Sequence, residues 1–167
     1  MAISPYLRGL REKVGSTLIQ MPSATVIAFD DQGRVMLVHS GDTEQWVAPG
    51  GGIDPLEKPA DAAVREMWEE TGLFVELTGI LGVYSGPEFA MTYPNGDRTS
   101  YVTTVFAARV VRGSAHPDGE ETLAVRPVSE ADLDHLENVA PWTRIVLADA
   151  FARRGQASFQ PPTWQPE

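Results

Sequence analysis

Between Gly51 and Leu73 the chain reads GGIDPLEKPADAAVREMWEETGL, a glycine-rich turn followed by a stretch in which Glu66, Glu69 and Glu70 stand beside one arginine, Arg65. An α-helix turns about 100° per residue, so the three carboxylates share roughly a third of its circumference. Glu66 and Glu70 form a like-charge i,i+4 pair, which costs a few tenths of a kcal/mol in an isolated helix. No lysine lies between positions 59 and 72 to relieve it. An acidic helix face is more often simply solvated, but an unrelieved cluster fits that reading poorly. Clustered carboxylates are hard oxygen ligands, and Mg2+ takes one or two of them together with water and substrate phosphates. The chemistry indicated is that of phosphates held by a divalent cation.

The element carrying these side chains is legible as well. Pro59 suits a first helical turn, Asp61 puts negative charge near the positive end of the dipole, and Gly72 stands where a left-handed cap is expected. Ala60, Ala63, Val64, Met67 and Trp68 occupy an adjoining apolar arc, expected to dock on a core. The glycines at 50–52 lack the GK[ST] ending of a phosphate-binding loop and read as turn geometry.

The same residues satisfy the pattern Gx5Ex7REUxEExGU, U being a bulky aliphatic residue, at Gly51, Glu57, Arg65, Glu66, Met67, Glu69, Glu70, Gly72 and Leu73. The stretch resembles the Nudix box, and its flanks extend the resemblance to most of residues 20–153. The resemblance implies an α/β/α sandwich with a mixed central sheet and the box helix packed beside it. It implies hydrolysis of the pyrophosphate in a nucleoside diphosphate linked to another group, with Mg2+, or Mn2+ in its place, as cofactor. Glu66 and Glu70 would be principal metal ligands, Glu69 a ligand to a further ion, and Glu57 a peripheral one. The carbonyl of Gly51, or of Gly50, would add a backbone ligand. Arg65 would orient the glutamates, with Glu69 at i,i+4 as its partner. One departure is visible: many members carry glycine immediately before the first glutamate, where this chain has Leu56.

A pyrophosphate repels an attacking hydroxide, so cations must offset its charge. In the family a general base often comes from a glutamate on a separate loop. The acidic turn His116–Glu121 offers Glu120 or Glu121, or else is an ordinary solvated loop; Glu66 or Glu69 could also activate the water. Trp46, Tyr84, Phe89, Tyr93 and Tyr101 could stack on a nucleobase, and Arg98 could meet a phosphate. The favoured substrate is ADP-ribose or a nucleotide sugar; a nucleoside triphosphate is the alternative, and a module that senses nucleotides without cleaving them is the rival class.

Composition excludes several functions. No cysteine is present, which rules out disulfides, zinc–thiolate sites and thiol nucleophiles and accords with a cytoplasmic setting. No apolar run approaches the ~20 residues that span a bilayer, and the N-terminus lacks a secretory apolar region. A formal charge of −10 argues against a long nucleic acid as partner, though not against a small nucleotide. The resemblance adds a homodimer as an expectation.

The rest of the chain reads as a single domain over 1–153. A helix is expected over 5–15, and strands over Ala24–Phe29, Arg34–His39, Trp46–Ala48, Phe74–Tyr84 (one or two), Ser100–Val111 and Leu123–Val128. Asp30–Gly33 and Pro94–Asp97 are turn signals, Ser129 with Asp132 a helix start, and 141–153 a closing helix. Residues 154–167, rich in Pro and Gln, read as an irregular tail.

Overall fold

The structure is a computed structural model that describes residues 4–153 and 156–159. In chain order the elements are α1 (Pro5–Val14), β1 (Ile19–Phe29), β2 (Val35–Ser40), β3 (Trp46–Val47), β4 (Gly50–Gly52), α2 (Pro59–Thr71), β5 (Leu73–Tyr84), β6 (Ala90–Thr92), β7 (Arg98–Gly113), β8 (Thr122–Val128), α3 (Pro141–Arg153) and β9 (Ser158–Phe159). They form one mixed sheet, ordered β3-β2-β1-β7-β5-β9, with β4 on β1, β6 on β7 and β8 on β2. β1 runs parallel to β7 along its whole length, from Ile19 against Thr99 to Phe29 against Arg109.

The side-chain period of two along a strand sorts the core into two layers. Ala24, Val26 and Ala28 of β1, with Phe106 and Ala108 of β7, pack beneath Ala62, Ala63 and Met67 of α2. Ile27, Val105 and Ala107 face the other way, into a cluster with Val146, Leu147 and Ala150 of α3. The result is an α/β/α sandwich.

Three local readings need correction. The expected docking face of α2 is rotated: Ala62, Ala63, Met67 and Thr71 are buried, whereas Ala60 is exposed and Trp68 is 50% exposed beside Phe74. Two alanines let the helix approach the sheet closely, and the bulky Trp68 is left outside. Of the one or two strands expected after α2 there is one, β5, kept continuous by irregularities that absorb its mismatch with β7. Ser129 and Asp132 do form a capping box, but it opens only one 3-10 turn. Within the expected irregular tail, Ser158 and Phe159 pair in parallel with Gly82 and Val83 at the open edge of β5; the other residues of that segment, apart from 156 and 157, lie outside the described ones.

The Asp30–Gly33 turn is built by Asp30, whose carboxylate accepts from the backbone N–H groups of Gln32 and Arg34, both at 2.9 Å. β1 and β2 pair only at Phe29 and Val35, however, before β2 joins β8. α1, with no buried residue, is held by Arg11. Its guanidinium donates to the carbonyls of Gly15, Thr17 and Arg98 and to Thr99 Oγ1, at 2.8–3.1 Å.

Candidate active site

The site lies where β4 passes beneath the inward side of α2. Glycine is required at 50 because its φ of +154° and the closeness of the Ala24 carbonyl leave no room for a Cβ. Gly51 serves a different purpose. A Cβ there would stand 2.5–2.7 Å from the Glu66 carboxylate, so the missing side chain is what lets that carboxylate lie on the backbone of β4.

At 100° per residue Glu66 and Glu70 fall on the same arc of α2 as Ala62, Ala63 and Met67, all three of them buried. The acidic stripe is thus part of the inward face. Glu70 Oε2 accepts from the Gly50 N–H at 3.1 Å. Burial drives the Glu70 carboxyl well above the usual carboxylate range, and the charges of Glu66, Glu121 and Asp118 push the same way. Glu66 is also raised by burial, against the opposing pull of Arg65.

Arg65 spreads across the remaining acids. Its Nε and Nη2 grip both oxygens of Glu57 at 2.8 and 3.0 Å, while Nη1 reaches Glu66 Oε1 at 2.8 Å and Glu69 Oε2 at 3.0 Å. The bidentate bond to Arg65 holds Glu57 below the usual carboxylate range despite partial burial. Glu57 Oε2 also accepts from the Asp54 N–H at 3.0 Å, closing the turn before the helix. In that turn Leu56 adopts φ +70° with its side chain fully in solvent, a conformation that favours glycine.

Among the described residues no three acidic or histidine side chains converge into a metal cluster as they stand. Arg65 draws one oxygen of Glu66 and one of Glu69 to itself. The other oxygen of Glu66 and those of Glu70, one of which accepts from the Gly50 N–H, form a hard donor set partly withdrawn from water, and a divalent cation is the partner such donors match. The donor chemistry fits.

Next to these acids opens a mainly apolar cleft walled by Phe89, Tyr93, Tyr101 and Trp142 with Val38, Val47, Ala48 and Met91, and bordered by Ser23, Thr25, Ser40, Thr103 and Thr122. Asp42, Glu70 and Glu121 also line it, and no Lys, Arg or His does among the described residues. Of the acidic loop, Glu121 reaches the cleft while Glu120 is exposed; Asp118 Oδ1 shapes the turn by accepting from the N–H groups of residues 120, 121 and 122.

The aromatic residues singled out from sequence divide. Phe89, Tyr93 and Tyr101 line the cleft. Trp46 instead packs edge-on against His39 and onto the α3-side core, outside the cleft lining. Tyr84 is buried, and its hydroxyl donates to Asp149 Oδ2 at 2.8 Å. Arg98 is exposed, its Nε 3.5 Å from the Ser16 carbonyl, and does not line the cleft. Trp142, whose ring lies 6.3 Å from that of Phe89, takes the place expected of Trp46. Sequence placed it only within the closing helix expected over 141–153. The Thr25–Thr103 hydroxyl pair, 2.9 Å apart, and Asp42 carried no local signal at all.

Residues 19–150 match the NUDIX domain family. The chain belongs to the Nudix family. Over 110 residues this Nudix protein is 36% identical to a putative 8-oxo-dGTP diphosphatase of Bacillus subtilis, covering 66% of this chain and 67% of the relative. It is 40% identical over 60 residues to diphosphoinositol polyphosphate phosphohydrolase 2 of Mus musculus, where it spans 35% of this chain and only 34% of the relative's length. Among solved structures, a MutT NUDIX hydrolase from Burkholderia pseudomallei has a TM-score of 0.66 at 24% identity, over 78% of this chain and 98% of that one. That likeness is one of fold. No helix among the described residues is long and apolar enough to cross a membrane.

Proposed function

We propose that this Nudix protein hydrolyses the pyrophosphate bond of a nucleoside diphosphate joined to an uncharged second group, ADP-ribose or a nucleotide sugar. The observation that carries the reading is the pair of inward carboxylates, Glu66 and Glu70, against Gly51 and Gly50 beside a cleft walled by aromatic rings. A cleft with aromatic walls and no cationic side chain among its described lining residues suits a nucleobase better than a densely phosphorylated inositol.

Glu66 and Glu70 would hold the divalent ions, with Glu69, Glu57 and the Gly51 carbonyl as further ligands. When bound, such ions offset the charge of the diphosphate and make nearby water more acidic. Arg65 holds the acids in place through its bonds to Glu57, Glu66 and Glu69. Glu121 takes the proton of the attacking water at its carboxylate. The water oxygen bonds to one phosphorus, the bridging P–O bond breaks, and a nucleoside monophosphate leaves with the phosphorylated second group. Phe89 and Trp142 supply ring faces for the base. Mg2+ is the proposed ion, with Mn2+ as substitute; a cytoplasmic homodimer is the proposed setting.

Similarity to the putative 8-oxo-dGTP diphosphatase supports a second reading, a nucleoside triphosphate as substrate. An assay of ADP-ribose, UDP-glucose, 8-oxo-dGTP and dGTP with Mg2+ or Mn2+, and with chelator, separates the two. Metal-dependent release of monophosphate from the first two is expected. Turnover confined to the triphosphates would replace the first reading with the second, and tight binding by calorimetry with no product over hours would sink hydrolysis itself.

A further inference from the structure

Glu70 and Glu121 line the same cleft but come from different parts of the chain, the first from the last turn of α2 and the second from the loop between β7 and β8. Like charges so placed repel, and the loop must be held against that repulsion. Its far end is held through the backbone. The Asp118 carboxylate accepts from the N–H groups of residues 120, 121 and 122, which makes a closed turn, and the Glu121 carbonyl accepts from the Gly41 N–H at 2.8 Å.

The near end is held by the box helix itself. A helix leaves its last carbonyls without helical partners; that of Thr71 accepts from the His116 N–H at 3.0 Å. Gly72 caps α2 at φ +68°, and the His116 ring fills the space where a side chain at 72 would begin, because a Cβ there would collide with its Cε1 and Nδ1. Nδ1 lies 2.8 Å from the Ser114 carbonyl. A carbonyl only accepts, so Nδ1 carries the proton and the bond fixes the ring on its seat. Gly113, at the end of β7, lies against the Gly72 carbonyl and likewise has no room for a Cβ. The loop thus leaves β7 pressed onto the end of α2, two residues along the helix from Glu70.

We infer that His116 is a positioning residue: seated on Gly72, its ring ties the loop that carries Glu121 to the helix that carries Glu66 and Glu70. It thereby sets the separation between the group that takes the water's proton and the carboxylates that hold the metal. The inference rests on the hydrolase reading with Glu121 as proton acceptor. Loss of the ring frees the near end of the loop while the Asp118 turn and the Gly41 bond persist. Glu121 is then displaced, not removed, and its loss of effect is partial.

The test is steady-state kinetics with Mg2+ on ADP-ribose, or on dGTP where the triphosphates are the substrates, with the folded fraction of each variant measured by circular dichroism. Glu121→Gln should lower kcat about 10²- to 10⁴-fold, as for the loss of a general base. His116→Ala should lower kcat per folded molecule about five- to twentyfold with KM within about twofold, as for a misplaced reacting group. In the Glu121→Gln protein it should add nothing, since no base is left to place. Gly72→Ala should displace the ring and reproduce the kcat loss, and should lower kcat no further in the His116→Ala protein. Where Gly72→Ala fails to fold, the His116 and Glu121 variants decide alone. An unchanged kcat in His116→Ala, or an equal loss with and without Glu121, overturns the inference and leaves the hydrolase standing. Full activity of Glu121→Gln removes Glu121 as proton acceptor and the inference with it, but not hydrolysis. No turnover of ADP-ribose, UDP-glucose, 8-oxo-dGTP or dGTP by the wild-type protein removes the hydrolase reading itself.

Discussion

α2 and α3 cover opposite sides of the same sheet, each thirteen residues long and each opening on proline, yet they use their inward arcs differently. α3 turns Val146, Leu147 and Ala150 to the sheet, and its one buried polar group, Thr143, has its hydroxyl accept from the Ala48 N–H at 3.3 Å. α2 turns Glu66 and Glu70 inward among Ala62, Ala63 and Met67, where burial opposes their charge. One helix holds the fold together. The other gives up stability to keep two anions where a cation can offset them.

The largest expected effect breaks that contrast at its acidic end. Glu70→Gln should lower kcat by orders of magnitude while the thermal midpoint in chelator stays level or rises, because the amide keeps the shape and removes the buried charge. The pH dependence has a definite sign. A carboxyl whose folded pKa is raised binds more protons folded than unfolded, so the contribution of Glu70 to stability in chelator is fully present below the ordinary carboxylate range and is lost as pH rises toward the folded value, opposite in sign to that of Glu57, whose value is lowered. Glu70→Gln should lose that portion of the slope. A variant that stayed fully active, or a midpoint that dropped, would remove Glu70 from its assigned place.

Leu147→Ala probes the other helix. The side chain is completely buried, so its truncation should cost about 2–5 kcal/mol in denaturant unfolding while kcat per folded molecule is kept. Loss of kcat without loss of stability would mean that the two layers are not separable. The smallest effect concerns Leu56. Leu56→Gly should stabilise by about 1 kcal/mol by relieving the left-handed backbone, with activity unchanged. A lower denaturation midpoint would show that Leu56 has a stabilising role other than its backbone geometry.

The same contrast explains what could be read from sequence. The ends of α2 and α3 were legible because proline, glycine and apolar spacing act locally. The acid cluster was legible because i,i+3 and i,i+4 spacing fixes neighbours on a helix whatever surrounds it. Which arc of α2 faces inward was not, since hydrophobicity favoured Trp68 over Glu66 and Glu70, whereas the carboxylates lie against Gly51 and Gly50 of β4 and Trp68 is left outside. The first half of β1, with Gln20, Pro22 and Ser23, lacks a strand pattern and is defined by its pairing with β7. The exchange of Trp46 for Trp142 in the cleft follows from the packing of α3 across the sheet, which no local spacing encodes.

Thr25 and Thr103 meet across the parallel pairing of β1 with β7 although 78 positions separate them, and the whole box helix lies on the intervening segment. Closing so long a loop forfeits chain entropy that the strand pairing must offset. The box helix can be built from local contacts, but the cleft beside it exists only where β1 and β7 are brought together.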